Sequence, residues 1–236
     1  MRDVAQTRTW LSVLWLAVAT VPSGPAYAES FAHSAQAWAG AFFQGPLRGD
    51  LFFQGDLHYR VSDQGAPATA IVRPAIGWLL APGVTVTLGY AYTPSWPAPG
   101  VKAVGEHRAW QQAQIDQPVL NGALRVQWRS RLEQRSRPAT SEAVGLRFRQ
   151  FVRWTRPLGE RWLLTAWDEV FVGLNRTDWG QLLGFDQNRV FIGIGAHVVP
   201  MTFRVEAGYF NLARRTPPGK ADGMIHAAMV NLFVNW

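Results

Sequence analysis

The sequence predicts an all-β fold, a transmembrane antiparallel up-and-down β-barrel of 10 to 12 strands with a polar, Arg/Glu-rich lumen. Three observations predict it: an N-terminal targeting segment, alternation of apolar and polar residues with a period of two, and a last strand that ends in an aromatic residue. Charged residues are only 17% of the chain, which contains 12 Trp, 13 Phe and 22 Gly. On composition alone, a soluble β-sandwich or a lipocalin-like barrel is an equal alternative.

The first segment has the features of a signal peptide. Two arginines within the first eight residues precede an apolar stretch at 10–21, which is shorter than the roughly 20 residues that a spanning helix needs. Ala26 and Ala28 then form a small-x-small cleavage pattern. We expect 1–28 to be a cleaved signal peptide and 29–236 to form one outer-membrane barrel domain; an N-terminal core helix is the alternative.

Alternation with a period of two marks the strands of the predicted barrel. In the clearest case, 123–135, Leu124 and Val126 share one face while Arg131 and Glu133 share the other. A membrane barrel turns the charged face to its lumen and the apolar face to lipid. The predicted strands lie near 35–43, 50–61, 69–80, 84–92, 105–117, 123–135, 146–154, 161–171, 187–198, 203–209 and 223–236.

The connections alternate between short turns and longer loops, as in bacterial outer-membrane barrels. The short turns are predicted at 81–83, 121–122, 157–159 and 199–200, and the longer loops at 93–104, 136–142, 173–184 and 211–222. Because bacterial single-chain barrels have even strand numbers, we expect 10 or 12 strands. The segment at 35–43 is then an eleventh strand or a lumen plug.

The C terminus resembles an assembly signal. The chain stops at Trp236, and Val234 and Leu232 lie on the same face of the last strand. A terminal strand of this pattern is what the barrel assembly machinery recognises, although Phe is the commoner last residue. We therefore expect this machinery and outer-membrane lipid of a Gram-negative bacterium to be partners of the chain.

Composition also excludes several classes of site. The chain has no cysteine, which excludes disulfides, a lipoprotein anchor and thiolate metal sites. The net charge of +7 comes almost entirely from arginine, and no basic run lies outside the strand pattern. We therefore expect no nucleic-acid partner, and the motifs indicate no metal site and no cofactor.

The inward face of the predicted strands carries a dense set of charges. In a narrow barrel these must pair, because an unpaired buried charge costs several kcal/mol. The first interpretation is an ion-pair network that fills the lumen; the alternative is a narrow, porin-like channel for small anionic or zwitterionic solutes, because rings of Arg favour anions. The predicted set is Glu106, Arg108, Gln112, Arg129, Arg131, Glu133, Arg135, Arg147, Arg149, Glu169, Gln187, Arg189, Arg204 and Glu206.

An enzyme that modifies outer-membrane lipid is a third alternative. Such an enzyme needs a serine, a histidine and an acid near the outer rim. The sequence contains no Gly-x-Ser-x-Gly elbow, and no spacing joins these residue types. His107 alternates onto the lipid face, and His197 lies near a short turn. The sequence therefore predicts no catalytic residue.

Five motifs together resemble a known family. They are EHRAWQQ at 106–112, RSRLEQR at 129–135, RFR at 147–149, DEVF at 168–171 and FDQNRVFIG at 185–193. Their order and spacing resemble the bacterial outer-membrane proteins catalogued as domain of unknown function 2490, over a region from about Trp38 to the C terminus. The resemblance implies an outer-membrane barrel and implies no established activity.

Overall fold

A computed structural model describes residues 31–62, 67–219 and 221–236 of the chain. Eleven strands and one short 3-10 turn form the regular structure of these residues, which confirms the all-β class. The predicted signal peptide, with Ala26 and Ala28, lies outside the described residues. Within the described ranges, no helix has the length and hydrophobicity that crossing a membrane requires.

The strands follow one another around a single closed barrel, each paired with its neighbours in the chain. Every predicted strand is present, most of them extended by a few residues at one or both ends. The strands are β1 (Ala32–Arg48), β2 (Leu51–Ser62), β3 (Ala68–Ala81), β4 (Val84–Trp96), β5 (Val104–Val119), β6 (Leu124–Ser136), β7 (Gly145–Leu158), β8 (Trp162–Gly173), β9 (Gly184–Val199), β10 (Phe203–Arg214) and β11 (Gly223–Asn235).

The barrel closes through a parallel pair of its first and last strands. Ala32 lies opposite Gly223, and Gln44 lies opposite Asn235. The expectation of an even strand number is wrong, because the segment at 35–43 is part of an eleventh strand. An odd number of alternating strands leaves the first and last running in the same direction, so closure requires this parallel seam. Closure removes the free strand edges that would otherwise expose unpaired backbone groups.

The two ends of the barrel differ in their connections. One end, here the short-turn end, has turns of two to four residues at 49–50, 82–83, 120–123, 159–161 and 200–202. The opposite, long-loop end includes 97–103, 137–144, 174–183 and, of the described residues before β11, 215–219 and 221–222. Two turns lie later than predicted, because Pro157, Leu158 and Val199 still pair with neighbouring strands.

Candidate functional site

The inner surface of the barrel contains the candidate site. Alternation along each strand sends every second side chain inward, where most are buried. The structure places all of the predicted lumen residues on this inner surface: Glu106, Arg108, Gln112, Arg129, Arg131, Glu133, Arg135, Arg147, Arg149, Glu169, Gln187, Arg189, Arg204 and Glu206.

Glu133 is the centre of one ion-pair cluster. The register of β6 and β7 places it opposite Arg147, whose Nη2 donates to Oε2 of Glu133 at 2.6 Å. Nη1 of Arg149 donates to the other oxygen, Oε1, at 2.5 Å, and Arg131 lies 3.9 Å away. The Glu133 side chain is only 1% exposed. Both of its carboxylate oxygens are therefore held by charged donors away from solvent.

Glu106 is the centre of a second cluster nearer the long-loop end. Its carboxylate accepts hydrogen bonds from Arg108 and Arg135, both at 2.7 Å, and from Arg137. The guanidiniums of Arg135 and Arg137 lie over the Trp179 ring, 5.0 and 4.7 Å from its centroid. Gln181 accepts a further bond from Arg135. The loop that contains Trp179 and Gln181 thus covers the end of the lumen.

Arg131 connects these clusters to the neighbouring strand β5, where Gln112 lies opposite it. Its Nε and Nη2 donate to Oε1 of Gln112, at 3.0 and 2.6 Å, and its guanidinium stacks 4.0 Å from the centroid of Trp110. The Trp110 ring lies directly against Gly89, where any side chain would collide with it. We call this packed region the closed half of the lumen; it comprises Glu106, Arg108, Trp110, Gln112, Glu133, Arg135, Arg147, Phe171 and Gln181.

An apolar cluster fills the adjoining wall. The Trp38 and Phe210 rings pack with centroids 4.1 Å apart and planes tilted by 35°, and the Trp167 ring contacts both Phe191 and Phe210. Phe191 and Phe210 are completely buried. These rings therefore fill part of the barrel interior beside the ion-pair clusters.

A cavity of about 390 Å³ extends from Trp38 and Trp167 toward the short-turn end. We call it the chamber. Nine arginines line it, against three carboxylates, Asp56, Asp116 and Glu169. The arginines are Arg60, Arg73, Arg125, Arg129, Arg131, Arg149, Arg153, Arg189 and Arg204.

Most chamber arginines contact an acid. Oε1 of Glu169 accepts hydrogen bonds from Arg129 at 2.8 Å and from Arg149 at 2.7 Å. Arg73 lies 3.3 Å from Asp56, which also contacts His58 at 2.8 Å. Arg131 lies 3.9 Å from Glu133, Arg125 pairs with Asp116, and both Arg153 and Arg204 pair with Glu206.

Several interior residues were missed from the sequence. Asp56, His58 and Arg60 face inward on β2, and the alternation of 50–61 already contained the signal for them. Trp179 and Gln181 lie in a loop, where no periodicity indicates which side chains turn inward. Loop residues of this kind need tertiary contacts to be recognised.

The predicted assembly residues lie at the short-turn end of the last strand. Leu232 faces outward, and Trp236 is 60% exposed beside Phe53, with its ring against Gly45. Val234 is half-buried. These positions are compatible with a terminal signal, whose role stays a prediction.

The histidines of the described strands do not form a catalytic group with serine and acid. His107 faces outward and bonds the Tyr90 hydroxyl at 2.5 Å, and His226 bonds Tyr209 at 2.6 Å. In the part of the chain that the structure describes, no three His, Asp or Glu side chains are grouped as metal ligands. The interior is thus a charged network beside a basic cavity.

Comparison with known proteins identifies the family. A family model described as "Protein of unknown function (DUF2490)" matches residues 35–222. An uncharacterized protein of Methylorubrum extorquens is 30% identical over 237 residues, covering 99% of this chain and 100% of the relative. Because the family model spans most of the barrel, the chain belongs to the DUF2490 family of proteins of unknown function.

Proposed function

We propose that this protein is an integral outer-membrane barrel whose lumen is closed toward the long-loop end and holds a basic chamber open toward the periplasm. The observation that carries the proposal is the outer surface. Large apolar side chains project from it and remain exposed, as a lipid-facing surface requires. They include Val72, Ile76, Val86, Leu88, Leu132, Leu164, Val190, Ile192, Ile194, Val230 and Leu232.

Aromatic residues near both rims support membrane integration. Trp78, Trp154 and Trp162 project outward near the short-turn end, the end at which Trp236 also lies. Tyr90 and Tyr209 project outward toward the long-loop end, where each hydroxyl has a histidine partner. Trp and Tyr rings concentrate at the two interfaces of a bilayer, because one end of each ring is polar.

Polar side chains on the outer surface pair with one another. Gln111 and Gln134 exchange hydrogen bonds of 3.2 and 3.0 Å, and Ser130 donates to Gln150 at 2.7 Å. A polar group in hydrocarbon needs a partner within the protein. Their mutual pairing is therefore consistent with a lipid-facing surface.

The orientation follows from the connections. Short turns face the periplasm in outer-membrane barrels, and the longer loops face outward. Under this orientation, export by the signal peptide and insertion by the barrel assembly machinery bring Trp236 to the periplasmic rim. Outer-membrane lipid would then surround the barrel, with the chamber accessible from the periplasm.

Membrane location is tested by fractionation. We expect the protein to sediment with the outer membrane, to require detergent for extraction, and to migrate faster on gels before heating than after it. Recovery from the periplasm without detergent would overturn the proposed location. N-terminal sequencing of the same material should give a start at residue 29.

The closed half determines whether solutes pass. Its charged side chains are buried against one another, with Glu133 and Arg147 only 1% and 4% exposed. We expect purified protein in planar bilayers to remain silent under applied voltage, while a porin reconstituted in parallel conducts. Reproducible anion-selective steps would instead support the second candidate, a narrow channel for small anionic or zwitterionic solutes, which the arginine-rich chamber favours.

A further inference from the structure

Two chamber arginines differ from the other seven. Among the described residues, neither Arg60 nor Arg189 has a carboxylate within 4.0 Å or a hydrogen-bonded side-chain partner. The Nε atom of each is buried and unpaired. Two guanidiniums inside the barrel therefore lack a counter-charge.

Both arginines converge on one aromatic ring. Arg60 lies opposite Trp38 in the register of β1 and β2, with its guanidinium carbon 3.9 Å from the centroid of the Trp38 ring. The Arg189 guanidinium lies 5.5 Å from the same centroid and 4.4 Å from that of Phe171. Stacking on rings fixes the planes of both guanidiniums and leaves their N–H groups available to an acceptor.

The acid opposite Arg189 pairs with two other arginines. Glu169 lies opposite Arg189 in the register of β8 and β9, but its Oε1 already accepts from Arg129 and Arg149. Arg189 and Arg60 remain outside ion-pair distance of Glu169. Because an uncompensated buried charge costs several kcal/mol, this end of the chamber favours an added anion.

We propose that the chamber is a binding site for a compact oxyanion with at least two negative charges, held between Arg60 and Arg189. Two fork-shaped donors suit phosphate or carboxylate oxygens, which accept paired N–H bonds. The cavity volume of about 390 Å³ limits the ligand to a small molecule. Rings inside the chamber are largely covered by arginines, as Phe151 is by Arg129 at 4.0 Å, so the accessible wall is cationic.

The route of entry rests on the proposed function. Gln44, Asn235, Arg125 and Thr155 line the cavity and lie near the short turns. The closed half lies on the other side of the arginines. An anion would therefore enter and leave by the short-turn end, which faces the periplasm in the proposed orientation.

Titration calorimetry on the purified barrel in nonionic detergent tests the site, with inorganic pyrophosphate and citrate as probes and acetate as the singly charged control. We expect one saturable site for at least one polyanion and much weaker binding of acetate. Saturation by pyrophosphate alone assigns a phosphate ligand, and saturation by citrate assigns a polycarboxylate. Arg60→Gln and Arg189→Gln should each weaken binding by about tenfold or more, because each removes charged hydrogen bonds.

Arg156→Gln is the matched control. Arg156 is exposed on β7, so this change removes the same charge without touching the chamber. Its affinity should stay within about twofold of the wild type. Failure of the wild type to bind either polyanion, or equal affinities in all three variants, would overturn the proposal.

Melting temperatures separate a binding role from a structural one. Without added anion, Arg60→Gln and Arg189→Gln should melt no lower than the wild type, because each removes an unpaired cation. With anion, the wild type should gain more stability than either variant. A lower melting temperature with unchanged anion binding would contradict the site. Because these measurements use detergent-extracted protein, failure of the outer-membrane location or of the closed lumen would leave their result unaffected.

Discussion

The closed half of the lumen and the chamber use the same residue types but differ in how completely their arginines are paired with carboxylates. In the closed half, each glutamate gathers several arginines: Glu133 holds Arg147 and Arg149, and Glu106 holds three. In the chamber, arginines exceed carboxylates by nine to three. Arginines outnumber carboxylates in both regions. Among the described residues, each arginine of the closed half contacts a glutamate, whereas Arg60 and Arg189 of the chamber have no carboxylate within 4.0 Å, beside a cavity that can admit water or an anion.

Removing Glu133 tests the closed half most severely. We expect Glu133→Ala to destabilise the barrel by roughly 3–5 kcal/mol, because it removes the buried carboxylate that Arg147 and Arg149 share and leaves them only Asp186 and Glu169. Glu133→Gln should cost less, since the amide keeps the shape and one acceptor oxygen. Thermal unfolding in detergent measures both changes.

Glu142→Ala is the control, because Glu142 is exposed in a long loop and should be near neutral. Small and equal effects of the alanine and glutamine substitutions at Glu133 would mean that this carboxylate is solvated. The distinction between the closed half and the chamber would then fail.

A substitution that overpacks the closed half should destabilise the barrel less than the removal of Glu133. A methyl group on Gly89 would collide with the Trp110 ring, which Arg131 covers on the inside. We expect Gly89→Ala to cost about 1–3 kcal/mol in thermal unfolding, as overpacking does in well-filled interiors. Gly223→Ala is the matched control, since its added carbon meets nothing closer than 3.6 Å. Equal melting temperatures for the two variants would show that the Trp110 contact is loose.

The smallest effect is expected at the mouth of the chamber. Arg125 pairs with Asp116 at 2.8 Å, but the Arg125 side chain is 64% exposed. Arg125→Gln should change the free energy of unfolding by at most about 1 kcal/mol, and less as salt is added. A loss as large as that of Glu133→Ala would indicate that the mouth is as closed as the opposite half.

Much of the fold was predictable because a period of two is a local property. Alternation on β6 identified Arg131 and Glu133 as inward-facing, and the structure pairs both with their cross-strand neighbours. Alternation does not encode which strands meet, so the parallel pairing of β1 and β11 was not predictable. On β1, alanines at the outward positions make the contrast between faces weak, and Trp38 was overlooked as an interior residue.

The features that the sequence did not predict all depend on contacts between residues far apart in the chain. Trp179 and Gln181 close the lumen from a loop, through partners on β6 and β7. The unpaired state of Arg60 and Arg189 is visible only when every nearby carboxylate has been placed. Sequence patterns identify the charged residues of the interior. Which of these arginines have a carboxylate partner and which have none can be seen only in the assembled barrel.

The parallel seam between β1 and β11 also constrains the order of events in folding. All the other pairings join strands that are consecutive in the chain, so these ten local pairings can form progressively. The seam joins Ala32 to Gly223, and this contact spans most of the chain. Its loop-closure entropy is the largest in the molecule, and contacts of such high sequence separation form slowly. Barrel closure is therefore expected to be the last step. It would be preceded by an open curved sheet in which β1 and β11 are unpaired edge strands.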